Sequence, residues 1–133
     1  MEHAAREAPC ILVVDDDPSI RRLIISTLRR DGYTLTEARN GREALDAMRR
    51  GDEDLVLLDL MMPEVTGWDV LRIREASPDL RRIPVIVITA AYGPELSEAL
   101  GNGICALLPK PFDLAVLQAI VRTCLLPAPV TSV

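Results

Sequence analysis

No stretch of the chain approaches the roughly 18 uninterrupted apolar residues needed to cross a bilayer, and Met1-Glu2-His3-Ala4-Ala5-Arg6-Glu7 lacks the apolar centre of a signal peptide. A soluble, cytoplasmic chain with no membrane partner is the expectation. Histidine is nearly absent: His3 is the only one, in a segment (1–9) expected to be a mobile tail, which sets a zinc protein aside. The cysteines Cys10, Cys105 and Cys124 are odd in number, widely spaced and set in apolar segments. That distribution suits reduced, buried thiols better than a disulfide framework or zinc site. Positive charge does not dominate either. The formal net charge is −5, and pairs such as Arg21-Arg22 and Arg49-Arg50 read as solvated helix faces, so no direct nucleic-acid binding is expected. Repeats and a second domain are also missing, and 133 residues at 49% apolar content are enough for one buried core.

What is present is a near-regular alternation of strand and helix signals. Cys10-Ile11-Leu12-Val13-Val14 is an unbroken apolar run, as in a strand buried on both faces. Asp15-Asp16-Asp17 closes it. Asp17 then fits the N-cap of a helix with Pro18 in its first turn and Ile20, Leu23, Ile24, Thr27 and Leu28 as its inner stripe, before Gly32. Tyr33 to Ala38 reads as a second strand, Asn40-Gly41 as a turn, and Arg42 to Arg50 as a helix with Ala44, Leu45 and Met48 inward. Leu55-Val56-Leu57-Leu58-Asp59-Leu60-Met61-Met62-Pro63 is a third apolar run of strand type, carrying Asp59 near its end. A helix from about Trp68 to Ala76 follows, with Val70, Leu71 and Ile73 for packing, and Pro78 and Pro84 bracket a link. Pro84 to Ala90 is the fourth strand, Pro94 to Leu100 a short helix, and Ile104 to Leu108 the fifth strand. After the Pro109-Lys110-Pro111-Phe112 loop, Asp113 caps a last helix with Leu114, Leu117, Ile120, Val121, Cys124 and Leu125 inward. Right-handed crossovers between five parallel strands place helices on both faces, giving a three-layer α/β sandwich.

In such sheets the working site lies beyond the carboxyl ends of the strands. Asp15 and Asp16 arrive there after the first strand, Asp59 on the third, Thr89 on the fourth and Lys110 after the fifth. Three carboxylates held together need compensation, and an all-oxygen set points to a hard divalent cation, Mg²⁺ being favoured. Beside such a cation, a lysine and a hydroxyl, an aspartate on a rigid strand is suited to attack phosphorus. Asp17 is most simply a helix cap, Met61-Met62 packing, and Trp68 a packing or partner-facing residue.

With these residues placed, the chain from Ile11 to about Leu126 resembles the receiver domain of a bacterial two-component response regulator. The resemblance rests on Ile11-Leu12-Val13-Val14-Asp15-Asp16-Asp17, Leu57-Leu58-Asp59-Leu60-Met61-Met62-Pro63, Ile88-Thr89-Ala90 and Lys110-Pro111-Phe112. It implies a flavodoxin-like sandwich, strand order 2-1-3-4-5 with five helices, spanning 10–126, with 127–133 as a tail or the start of a linker. It implies that Asp59 accepts a phosphoryl group from a phosphohistidine on a sensor histidine kinase or histidine phosphotransfer protein. Asp16, Asp59 and the Met61 carbonyl would bind Mg²⁺ directly, with Asp15 orienting its waters. Lys110 would pair with the phosphoryl oxygens, and Thr89 would hydrogen-bond one of them and report the state. A cis Lys110-Pro111 bond is implied too. The domain would be a regulator rather than an enzyme, catalysing only its own phosphorylation and slow dephosphorylation. An unknown output partner or domain, and a monomer or weak phosphorylation-linked dimer, complete the expectation.

Two further expectations come from one departure from the family pattern and from two variable positions. Leu107 stands where the family usually has Tyr or Phe, so either other residues of the fifth-strand surface carry the signal or its coupling to partner affinity is weak. Tyr92 as a substitute is the lesser reading. The resemblance implies that Met61 and Ala91, two residues past the acceptor and two past the threonine, flank the path of hydrolytic water; neither side chain can hold a water, so a long-lived acyl phosphate is expected. A haloacid-dehalogenase-type phosphatase would instead carry its nucleophile in an Asp-x-Asp motif after the first strand, where this chain runs straight into a helix. The intact set Asp15, Asp16, Asp59, Thr89 and Lys110 weighs against a degenerate, docking-only receiver.

Overall fold

The computed structural model describes residues 8–91, 96, 101 and 103–126. Five strands, β1 (Cys10–Val14), β2 (Thr34–Ala38), β3 (Leu55–Asp59), β4 (Val85–Thr89) and β5 (Ala106–Pro109), form one parallel sheet in the order β2-β1-β3-β4-β5. The helices described are α1 (Pro18–Arg30), α2 (Gly41–Arg50), α3 (Gly67–Ala76), the single turn α4 (Pro78–Arg81) and α5 (Leu114–Leu125). The expected three-layer architecture and strand order are thus observed. The short helix expected at 94–100, and Tyr92, lie outside the described residues.

Alternation along the buried strands decides which side chains meet which helices. Leu12, Val14, Val56, Leu58 and Val87 face α2 and α3, where Ala44, Leu45, Met48, Val70 and Leu71 close the core. Ile11, Val13, Leu55, Leu57, Ile86 and Ile88 face the other way, onto Ile24, Ile25 and Leu28 of α1 and Leu117 and Val121 of α5. Because β1, β3 and β4 are covered on both sides, their sequences show no polar alternation. Removing each such side chain from water contributes about 1.5–3 kcal/mol. β2, at the sheet edge, is mostly exposed, which accounts for its Thr-Leu-Thr-Glu-Ala sequence.

Several local expectations need correction. In α1 Ile24, Thr27 and Leu28 are buried as expected, but Ile25 joins them and Leu23 is 48% exposed, so the inner stripe includes Ile25 in place of Leu23. Asn40-Gly41 is no turn: the Asn40 side chain accepts a hydrogen bond from Glu43 N and caps α2, whose first residue is Gly41. Gly41 sits there because a Cβ would lie 2.5 Å from the Val65 carbonyl oxygen. The link between Pro78 and Pro84 holds the turn α4, and β5 begins at Ala106 rather than at Ile104. Pro9, expected in the tail, accepts a hydrogen bond from Thr34 N. The reading of all three cysteines as reduced, buried thiols is also overturned. Only Cys10 is buried, and Cys105 and Cys124 form a disulfide. Periodicity placed Cys124 on the inner face of α5, but only the packing of α5 on β5 brings it to Cys105, 19 positions earlier.

Candidate functional site

The chain leaves β1 for the β2 side and returns through β3 on the other, so a crevice opens between the carboxyl ends of β1 and β3. Val14 pairs with Leu58, which sets Asp15 level with Asp59; Ile88 pairs with Asp59, and Thr89 with Pro109. Register alone therefore delivers Asp15, Asp59, Thr89 and Lys110 to one edge.

Each group is held by its local backbone. Asp15 is buried; its Oδ1 accepts a hydrogen bond from Asp17 N at 2.9 Å and its Oδ2 one from Lys110 Nζ at 3.0 Å. The Asp15 backbone is clamped as well, its N–H donating to the Ala38 carbonyl at 3.2 Å and its own carbonyl accepting from Arg21 Nη1 at 2.7 Å. Asp59 is 4% exposed; Met61 N–H donates to its Oδ1 at 3.1 Å, and Lys110 Nζ lies 3.5 Å from its Oδ2. Asp16 is exposed at the rim. Asp17 turns away to cap α1, accepting from Ser19 N and Ile20 N, as its cap reading anticipates. Thr89 is buried at the end of β4, with its Oγ1 accepting from Ala91 N at 3.1 Å. Lys110 N–H donates to the Thr89 carbonyl at 2.8 Å, and the Lys110-Pro111 bond is cis, as the resemblance implies.

The electrostatics are those of a site short of positive charge. Burial pushes the Asp59 carboxyl above its ordinary pKa; the Met61 N–H works against this, Asp15 adds to it, Lys110 opposes it and Asp16 adds to it. Burial alone would lower Lys110, but its hydrogen bond to Asp15 and the attraction of Asp15 and Asp59 outweigh that, so its ammonium is held above its usual range. One ammonium thus faces two buried carboxylates and a third at the rim. Carboxylate oxygens of Asp15, Asp16 and Asp59 lie within 4.8 Å of one another. That spacing, the all-oxygen chemistry and the raised Asp59 pKa all fit a hard divalent cation.

Two features were legible in the sequence but escaped reading. Lys110 is the only lysine, against 14 arginines, and its compact ammonium stands where the buried carboxylates of Asp15 and Asp59 converge. Gly67 opens α3 where a Cβ would stand 2.3 Å from the Asp59 carbonyl oxygen and 2.5 Å from Leu60 Cα. Its N–H donates to the Leu60 carbonyl at 3.1 Å, so α3 is seated directly against the strand end that carries Asp59.

The family model described as the response regulator receiver domain matches residues 11–122. The response regulator MprA of Mycolicibacterium vanbaalenii is 41% identical over 117 residues, which cover 86% of this chain and 49% of that protein. The chemotaxis protein CheY-3 of Vibrio cholerae is 38% identical over 110 residues, 81% of this chain and 85% of that one. The chain therefore spans about half the length of the first relative and most of the second. Among solved structures, the signal receiver domain of a signal transduction histidine kinase from Syntrophus aciditrophicus superposes with a TM-score of 0.81 at 34% identity, covering 89% of this chain and 90% of that one.

Proposed function

Since the chain belongs to the response regulator receiver domain family, a family of phosphoacceptor signalling modules, we propose that Asp59 is its phosphoacceptor. The observation that carries this is the Lys110 ammonium set between two buried carboxylates, 3.0 Å from Asp15 and 3.5 Å from Asp59.

An Asp59 carboxylate oxygen attacks the phosphorus of a phosphohistidine, the P–N bond breaks, and the imidazole leaves as an acyl phosphate forms. Met61 N–H and Lys110 fix the two carboxylate oxygens beforehand, and positioning of this kind supplies much of the rate in phosphoryl transfer. Lys110 then has a phosphoryl oxygen to neutralise in place of the carboxylate it contacted. Thr89, whose hydroxyl still has its proton to donate, bonds another phosphoryl oxygen and turns away from Ala91 N. Asp15, Asp16, Asp59 and the Met61 carbonyl are the residues that would hold Mg²⁺, which when bound neutralises charge on the transferring group. Asp15 would act through waters on that ion.

The domain, residues 10–126, works in the cytoplasm with a sensor histidine kinase or phosphotransfer protein as donor. It is a regulator, catalysing its own phosphorylation and slow dephosphorylation, and is a monomer or a weak dimer linked to phosphorylation. Its output is a separate partner or an attached domain. Leu107 is half-buried and packs against the core on the α2–α3 side, so the usual aromatic is replaced by a side chain already turned inward. Incubation with Mg²⁺ and a small acyl phosphate, followed by intact-mass measurement, tests the reading: one phosphoryl adduct on the chain and none on Asp59→Asn is expected. An equal adduct on the variant would refute it.

A further inference from the structure

We propose that Cys105 and Cys124 form a redox-active pair that exchanges with small thiols and disulfides and thereby ties or frees the end of α5. The two residues sit on different elements. Cys105 immediately precedes β5, and its N–H donates to the Val85 carbonyl at 2.7 Å. Cys124 lies in the last turn of α5, and the Cα atoms are 6.2 Å apart across the bond. This spacing is within the ordinary range for a disulfide, so forming or breaking the bond asks for no large backbone movement.

Access separates this pair from an inert staple. Cys105 is exposed and Cys124 half-buried, and both line an open groove of roughly 400 Å³ with Ala106, Ala115, Ala119 and Ile120. A small sulfur compound therefore reaches the bond without unfolding, which is the condition for exchange. Cys10, by contrast, is sealed inside β1. In the oxidising direction a Cys105 thiolate attacks one sulfur of a small disulfide and releases one small thiol. The Cys124 thiolate then attacks the Cys105 sulfur of the mixed disulfide and releases the second. Two protein thiols lose two electrons and two protons, and one small disulfide becomes two thiols.

The bond closes a loop containing β5, Leu107, Lys110 and nearly all of α5. Among the described residues α5 is otherwise held by Leu117 and Val121 in the core, by Leu114, Ile120 and Leu125 packed half-buried against it, and by Gln118 Nε2 donating to Asp31 Oδ2 at 2.9 Å. Of these contacts only that of Leu125 lies beyond Val121. Reduction therefore loosens the last turn, and with it the α5 side of the face shared with β5.

The test equilibrates the folded full chain in mixtures of reduced and oxidised glutathione, then traps it with an alkylating agent for intact mass. The expected result is a reversible change between zero and two alkyl groups, with monomer at both ends. Hydrogen exchange in the last turn of α5 is expected to be about tenfold faster after reduction, while β1 and β3 keep their protection. A Cys105→Ser/Cys124→Ser double variant, checked by its core protection to be folded, should exchange at the fast rate under both conditions. A pair protected in every mixture, a pair alkylated in every mixture, or an α5 whose exchange ignores the redox state would each overturn the proposal.

Discussion

At neutral pH the ionised carboxylate of Asp59 is a cost to the folded chain. Burial is the chief reason that its folded pKa lies above that of an ordinary aspartate, so the native state holds the proton more tightly than the unfolded state. Its favourable contribution is complete below about 4 and is lost as the pH rises through the raised value. In the presence of a chelator, Asp59→Asn is therefore expected to be more stable than the parent at pH 7, a gain that fades as the pH falls toward the ordinary carboxylate range. Urea titrations at pH 7 and in that range measure it; a variant no more stable at pH 7 would contradict the charge account. Residues beside the proposed acceptor are expected to set how long the phosphoryl group stays. Met61 is 58% exposed and Ala91 half-buried, and neither side chain offers a hydrogen bond to a water. Met61→Asn and Ala91→Ser are expected to shorten the half-life of the phosphorylated chain, followed by loss of the adduct mass with time. At this scale Asp15, Asp16, Asp59, Thr89 and Lys110 were all legible, because each ends an apolar run. The Met61 N–H bond was not, since any residue type supplies an N–H.

Among the elements, α3 and β5 are joined by a side chain that no pattern announced. Arg74 is buried, and its guanidinium donates to three carbonyls: Nε to Ile83 at 3.0 Å, Nη1 to Gly103 at 2.7 Å and Nη2 to Arg81 at 3.2 Å. Burial lowers its pKa, and Glu75, 3.7 Å away, partly offsets this. It ties the end of α3 to α4, to the approach to β4 and to the loop that leads into β5. Replacement by Met leaves these carbonyls without their donor and is expected to cost about 3 kcal/mol in urea unfolding, with phosphoryl uptake intact. A cost under ~1 kcal/mol would show that water replaces the guanidinium freely. Helix boundaries were readable where caps are side chains, as at Asp17 and Asp113. They slipped by a residue where a glycine opens the helix, as at Gly41 and Gly67, since glycine reads as a turn until the neighbouring backbone is known. Arg74 escaped for a similar reason, because its partners are carbonyls brought close only by the tertiary fold.

For the whole molecule, order and layering followed from runs of buried strand, whereas the covalent link between Cys105 and Cys124 depended on which helix covers which strand. The same sheet makes the acidic edge a point of global control, since a ligand that binds only the folded chain stabilises all of it. At a Mg²⁺ concentration about 100 times the dissociation constant, a gain of roughly 2.7 kcal/mol is expected, largely lost in Asp16→Asn. Thermal unfolding with and without the ion reads this directly. The central claim, that the chain carries its phosphoryl group on Asp59, is tested most directly by chemical mapping. Borohydride reduces an aspartyl phosphate to homoserine, so the chain treated with Mg²⁺ and a small acyl phosphate, then reduced and digested, should carry homoserine at position 59 and at no other aspartate. Homoserine at Asp15 or Asp16, or none at all, would contradict it.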